Sequence, residues 1–81
     1  MEVKVLMFAA LSDATGVREL NLQLKLQASV ADVLAELESR YPAVASMRDR
    51  LAFAVNLEYV TPGRLLADGD ELALIPPVSG G

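Results

Sequence analysis

Cysteine, histidine and tryptophan are all absent from this chain of 81 residues. Without cysteine there is no disulfide framework, no thiol nucleophile and no thiolate ligand for a metal. Without histidine the chain lacks the side chain most often used in general acid–base catalysis and in metal binding. Few side-chain chemistries therefore remain open to it.

Basic residues are also scarce, since seven Lys and Arg stand against eleven Asp and Glu, a net charge of −4. An acidic surface repels phosphate backbones, which argues against nucleic acid as a partner, and it suits a basic protein surface. No apolar run approaches the roughly 20 residues that span a bilayer, and the first residues do not resemble a secretory signal. We therefore expect a soluble cytoplasmic protein with no membrane partner.

Apolar residues are plentiful, at 53% of the chain, and their spacing predicts the elements of one small domain. Period-two alternation predicts two strands near the N-terminus. Their apolar positions are Val3, Val5 and Met7 in the first strand and Leu20, Leu22, Leu24 and Leu26 in the second. Residues 12–16 (Ser-Asp-Ala-Thr-Gly) have turn chemistry, so we predict a hairpin.

A helix is predicted to begin at Ser29, an N-cap residue with Asp32 three positions later in a near capping box. Its apolar positions at helical spacing are Val30, Val33, Leu34 and Leu37. Pro42 should end the helix, because proline disfavours helical geometry in the residue before it. Residues 43–50 are compatible with a second short helix or a turn.

The C-terminal half predicts strands over residues 51–57 and 71–75, with short extended segments at 59–60 and 64–66 and turns at 61–63 and 68–70. The order β-β-α-β-(β)-β predicts an α+β fold, a mixed sheet with one main helix packed on one face. This is the β-grasp, or ubiquitin-like, arrangement. We assign residues 1–75 to this domain and residues 76–81 to an extended tail.

The tail combines a stiff segment with a slim tip. Pro76 and Pro77 fix φ and favour an extended conformation, whereas Gly80 and Gly81 have no side chains. Six extended residues reach roughly 20 Å, so the α-carboxylate of Gly81 could enter a narrow active site. Transfer of AMP from ATP would activate that carboxylate, and a sulfur nucleophile could then convert it to a thiocarboxylate. The alternative is a frayed terminus without function.

Strand parity also predicts a surface for a partner. If Val3, Val5 and Met7 face the helix, the opposite face of the sheet carries an apolar patch. Its members are Leu6, Phe8, Ala52, Ala54, Ala73 and Ile75. A slip in strand register would instead place some of them in the core. For Asp68 and Asp70, a tight turn with Gly69 at its centre is favoured over a metal site.

Four stretches carry a resemblance to a known family. They are residues 3–9 (Val-Lys-Val-Leu-Met-Phe-Ala), 54–56 (Ala-Val-Asn), 68–71 (Asp-Gly-Asp-Glu) and 76–81 (Pro-Pro-Val-Ser-Gly-Gly). Over essentially its whole length the chain resembles the small subunit of molybdopterin synthase (MoaD), in the ubiquitin-like sulfur-carrier family. It departs from that family at Ser12 and Asp13, where many members have Arg-Glu, and at Ile75, which is often aromatic.

The resemblance implies a sulfur carrier without catalytic residues or a bound cofactor or metal of its own. Gly81 would be adenylated by an E1-like enzyme (MoeB-like) that uses ATP, and thiocarboxylated with sulfur from a donor such as a cysteine desulfurase. The large synthase subunit (MoaE-like) would receive the tail in its active site, and two carriers would convert precursor Z, the cyclic pyranopterin monophosphate, to the dithiolene of molybdopterin. The inserted residues would be Pro76, Pro77, Val78, Ser79, Gly80 and Gly81.

Three other functions stay open. A sulfur carrier for thiamine thiazole or for tRNA thiolation would use the same chemistry with a different acceptor. A ubiquitin-like modifier would join the same activated carboxyl group to lysines. A plain interaction domain would not need its final glycines.

Overall fold

The computed structural model describes residues 1–77 of the chain. Its elements are β1 (Glu2–Met7), α1 (Ala9–Thr15), β2 (Glu19–Gln23), α2 (Val30–Arg40), α3 (Pro42–Met47), a 3₁₀ turn (Arg48–Arg50), β3 (Ala52–Val55), β4 (Glu58–Val60) and β5 (Glu71–Ile75). Among these residues no helix is long and apolar enough to cross a membrane.

The five strands form one mixed sheet in the order β2-β1-β5-β3-β4. Strands β1 and β5 are parallel, and the other neighbouring pairs are antiparallel. The helices share one apolar core with one face of this sheet, and α2 is the longest of them. The predicted α+β architecture, with one main helix on one face of a mixed sheet, is confirmed.

Alternation along the strands places one set of side chains against the helices. Val3, Val5 and Met7 are buried as predicted, and the same parity in β3 and β5 buries Phe53, Val55, Leu72 and Leu74. From α2 the same core receives its four predicted apolar positions, each with no exposed surface. Full burial of a Leu or Val contributes about 1.5–3 kcal/mol, so this one face supplies most of the driving force for folding.

Both ends of α2 have the local contacts that its sequence predicts. The Ser29 hydroxyl accepts the Asp32 N–H at 3.3 Å, and the Asp32 carboxylate accepts the Ser29 N–H at 2.8 Å, which completes a capping box. At the other end Tyr41 is the C-cap and donates its N–H to the Leu37 carbonyl at 2.7 Å. Pro42 then begins α3, within the segment where a short helix or a turn is predicted.

Replacing the N-cap, Ser29→Ala, should lower the free energy of unfolding by about 1 kcal/mol, because the Asp32 N–H loses its acceptor and the Asp32 carboxylate loses the hydroxyl that helps to position it. Urea unfolding followed by circular dichroism measures the change. Ser39→Ala is the matched control, since Ser39 bonds only the Glu36 carbonyl near the end of the same helix and should be nearly neutral. Equal losses in the two variants would contradict the capping assignment.

The turn predicted at residues 12–16 is wrong. These residues belong mostly to α1, whose Leu11 is fully buried, and Thr15 bonds the Leu11 carbonyl at 2.9 Å. Gly16, at φ +74°, ends the helix and donates its N–H to the Ser12 carbonyl. The glycine is therefore a helix C-cap, and a helix joins the two antiparallel strands of the predicted hairpin.

The second strand is shorter than its alternating leucines predict. Strand β2 ends at Gln23, and Leu24 adds two bonds to Met1: its N–H donates to the Met1 carbonyl and its carbonyl accepts from the Met1 amino group, both at 2.8 Å. Gln27 then turns the chain at φ +68°, which leaves Leu26 79% exposed. The pairs of β1 and β2 run from Leu6 with Glu19 to Glu2 with Gln23, so Leu26 lies beyond the paired segment.

The predicted strand over residues 51–57 is also shorter, because the chain reverses within it. Strand β3 ends at Val55 and β4 begins at Glu58, so Asn56 and Leu57 form a two-residue hairpin loop. Residues 64–66 form no strand and contribute one isolated bridge, between Leu65 and Ser29. The turn at residues 68–70 and the strand at 71–75 are confirmed.

Candidate partner-binding face and tail

The sheet face opposite the helices carries the six residues of the predicted patch. Residue pairing places Leu6 beside Ala73, Ala73 beside Ala54, and Ala54 beside Tyr59, in one row across four strands. Ile75 pairs with Ala52 in a second row, and Phe8 follows the end of β1 next to it. The structure thus brings all six residues to one side of the sheet, with no register slip. We call this set the outer patch.

Members of the outer patch differ in exposure according to their size and position. Phe8 is 44% exposed, Ala52 is exposed, and Leu6, Ala73 and Ile75 are partly buried. Ala54 is only 8% exposed although it points away from the helices. Its methyl group is short, with Tyr59 opposite it on β4 and Ala73 opposite it on β5.

Two further apolar residues extend the outer patch and were missed from the sequence. Leu57 is 93% exposed and Tyr59 is 77% exposed, both in the β3–β4 hairpin. Tyr59 is directly opposite Ala54, so it lies on the outer face. The position of Tyr59 could have been predicted by recognising residues 56–57 as a two-residue loop, because the length of the loop sets the register in which β3 and β4 pair.

A depression of about 230 Å³ lies within this face. Its lining residues are Leu6, Phe8, Ala54, Leu57, Tyr59, Glu71, Ala73 and Ile75. Ala54 on β3 and Ala73 on β5 are adjacent and have short side chains, so they form the floor of the depression. The larger lining side chains surround this floor. The depression can accept an apolar side chain of a partner, and large exposed apolar surfaces of this kind usually mark binding sites.

The rest of the outer face is polar. On the side formed by β1 and β2, Lys4 lies 3.7 Å from Glu19, and both side chains are about half exposed. An exposed ion pair of this kind contributes little to stability. Apolar surface is therefore concentrated on the part of the face formed by β3, β4, β5 and the end of β1.

The predicted tail follows directly from the outer patch. Strand β5 is the middle strand of the sheet and ends at Ile75; Pro76 is buried and Pro77 is exposed. The remaining tail residues, Val78, Ser79, Gly80 and Gly81, lie outside the described residues. Their roles stay predictions that rest on the sequence.

Asp68 and Asp70 serve the fold. Asp68 accepts the Glu2 N–H at 2.7 Å, and Asp70 accepts the Ala67 N–H at 2.8 Å and the Asn56 amide at 2.9 Å. Between them Gly69 adopts φ +85°, as a tight turn requires. Within residues 1–77 no group of three or more Asp and Glu side chains could hold a metal ion.

Together, the mixed sheet, the main helix and the apolar outer face define a ubiquitin-like β-grasp protein. The ThiS family model matches residues 5–81. The chain is 43% identical to a protein of Chlamydomonas reinhardtii named molybdopterin synthase sulfur carrier subunit, and the match covers all of both chains. The chain belongs to the ThiS family. Its resemblance to molybdopterin synthase small subunits is likewise confirmed.

Two solved structures extend the comparison. The crystal structure of SAMP1 from Haloferax volcanii superposes with a TM-score of 0.88 at 34% identity and covers all of both chains. The BexX/CysO complex of Amycolatopsis orientalis contains a chain that matches with a TM-score of 0.73 at 26% identity, over 98% of this chain and 99% of that one. The second structure is a complex of two proteins, so a related fold occurs bound to a protein partner.

Proposed function

We propose that this chain is the sulfur-carrier subunit of a molybdopterin synthase and that Gly81 is the residue that carries sulfur. One observation supports the proposal most strongly: the middle strand of the sheet crosses an apolar outer face and leads directly into Pro-Pro-Val-Ser-Gly-Gly. A partner that covers this face is thereby placed beside the start of the tail. The Chlamydomonas reinhardtii relative, matched over its full length, bears this function in its name.

Activation begins at the Gly81 carboxylate, which is a poor acyl donor because its leaving group would be oxide. The carboxylate oxygen attacks the α-phosphorus of ATP, pyrophosphate leaves, and an acyl adenylate forms. Sulfide then displaces AMP and leaves a thiocarboxylate; a persulfide donor would do the same, with a thiol cleaving the intermediate S–S bond. An E1-like enzyme supplies the site and the ATP, and a cysteine desulfurase is a suitable source of sulfur.

Delivery takes place on the large synthase subunit. The outer patch docks on that subunit, and the tail from Pro76 to Gly81 extends into its active site. There the thiocarboxylate sulfur attacks precursor Z, and two carriers in succession provide the two dithiolene sulfurs. The chain acts as a co-substrate, and the catalytic side chains belong to its partner. A cytoplasmic location fits this role and stays a prediction.

Intact-mass spectrometry tests the carrier chemistry directly. Incubation with an E1-like activating enzyme, ATP and a sulfur source should raise the mass of the chain by one oxygen-to-sulfur exchange. Omission of ATP is the control and should leave the mass unchanged, because a free carboxylate is not attacked. An unchanged mass in the complete mixture, under conditions that modify an authentic carrier, would refute the proposal.

A second candidate function is protein modification, favoured by the similarity to SAMP1, a small archaeal modifier protein. The same acyl adenylate would then be transferred to lysine amines, forming isopeptide bonds. Conjugates of higher mass in a cell extract supplied with ATP would support this function. Release of molybdopterin by the large subunit would support the first.

A further inference from the structure

Leu57 has a backbone conformation that leucine rarely adopts. Asn56 and Leu57 have φ values of +49° and +72° in the two-residue loop between β3 and β4. Loops with two positive φ values are the type I′ turns of β-hairpins, in which Asn-Gly is the favoured pair. Here leucine occupies the position of glycine, where a branched side chain is strained.

The side chain gains no burial in return, since Leu57 is 93% exposed and has the largest exposed fraction among the large apolar residues described. Strain and exposure both oppose stability at this position. Where a strained residue persists without a stabilising contact in the fold, a functional contact is a reasonable hypothesis.

Asn56 holds the loop in place, so Leu57 is presented rigidly. The Asn56 side chain accepts the Glu71 N–H at 3.0 Å and donates to the Asp70 carboxylate at 2.9 Å. Its backbone N–H donates to the Glu71 carbonyl at 2.9 Å. Three bonds thus tie the loop to the start of β5, and a partner meets Leu57 in a defined position.

Leu57 and Ile75 lie toward opposite ends of the same depression. Leu57 lies in the loop that Asn56 fastens to Glu71. Ile75 is four residues beyond Glu71 in β5, which places it about 13 Å from Glu71 along the strand. Two contacts this far apart can fix the direction of a docked domain, whereas one contact leaves it free to pivot. The direction matters here because β5 leads into the tail.

We propose that Leu57 is a docking anchor that inserts into an apolar pocket of the large synthase subunit, and that Phe8 and Ile75 form the second contact. This inference rests on the proposed function. A partner with basic groups around that pocket fits best, because Glu71 lines the depression and the chain has a net charge of −4. A second copy of this equally acidic chain fits less well.

Leu57→Gly tests the anchor because its two expected effects have opposite signs. Removing the side chain should weaken binding to a molybdopterin synthase large subunit at least about tenfold, measured by isothermal titration calorimetry. It should also raise the thermal unfolding midpoint of the free chain, by about 4 °C, because Asn-Gly suits the turn. Leu26→Gly is the control, since Leu26 is also highly exposed but lies outside the depression; it should leave binding unchanged.

Unaltered binding by Leu57→Gly would overturn the anchor, and a lower unfolding midpoint would show that Leu57 stabilises the fold. The free chain could instead dimerise in a concentration-dependent way, and Leu57→Gly could abolish this dimerisation. That result would assign the surface to a second copy and would also overturn the proposed anchor. Failure of the proposed function looks different, because the unmodified chain would then not bind the large subunit or become thiocarboxylated.

Discussion

Deleting Gly81 should abolish molybdopterin formation in a reconstituted synthase, with product reduced at least about 100-fold. The shortened chain ends in the Gly80 carboxylate, roughly 3.5 Å short of the position where both enzymes are proposed to act on the terminal carboxyl group. Binding to the large subunit should change little, because the outer patch is intact. Fluorescent detection of the oxidised product, with precursor Z as substrate, measures the effect.

Ser79→Ala is the matched control for this deletion, since it alters the tail without moving its terminal carboxylate. Molybdopterin formation with this variant should stay close to that of the unchanged chain, because the proposed reaction uses the terminal carboxyl group and not the Ser79 hydroxyl. Product formation by the chain that lacks Gly81 would overturn the assignment of that residue as the sulfur carrier. The same conclusion would follow if amidation of the Gly81 carboxyl group left sulfur delivery intact.

Phe8→Asp should weaken binding to the large subunit by about 30-fold or more, since an aspartate there would have to lose its hydration within an apolar contact. The domain should stay folded, because Phe8 is 44% exposed and is not part of the main core. Ile75→Asp should act in the same direction, because Ile75 lies beside Phe8 in the same row. Calorimetric titration gives the affinity, and circular dichroism reports whether the domain is folded.

Leu26→Asp controls for a new charge on an exposed apolar residue, at a site outside the outer patch. It should bind the large subunit as the unchanged chain does. Loss of the folded signal in Phe8→Asp would show that Phe8 supports the core, which would contradict its assignment to the docking surface. If Phe8→Asp and Leu26→Asp weakened binding to the large subunit equally, the effect would be due to the added negative charge and not to the loss of an apolar contact.

Much of the fold could be predicted because it depends on local chemistry and on periodicity. Ser29 and Asp32 are close in sequence, so their capping box needs no tertiary contact to be recognised. Alternate residues of β1 and β5 point to opposite faces of the sheet, so the apolar set is predicted to lie on the buried face. Family membership followed from similar evidence, in particular the sequence from Pro76 to Gly81.

Other features could not be read locally because they depend on residues distant in sequence. Helix α1 contains turn-forming residues, and its Leu11 is buried in the core that the sheet and the other helices form. The pairs of β1 and β2 extend no further than Glu2 with Gln23, so Leu26 lies beyond the paired segment and its exposure could not be predicted from its own alternation.

By itself the sequence determined which side chains of β1, β3 and β5 face inward and where the main helix begins and ends. The chemistry proposed for Gly81 is a prediction from the same sequence. Each of these depends on residue type and short-range spacing. Only the tertiary structure decided that Leu57 and Tyr59 join the outer patch and that Ala54 lies nearly covered within it. Those properties arise when strands distant in sequence pair side by side, because pairing register determines which neighbours surround each side chain.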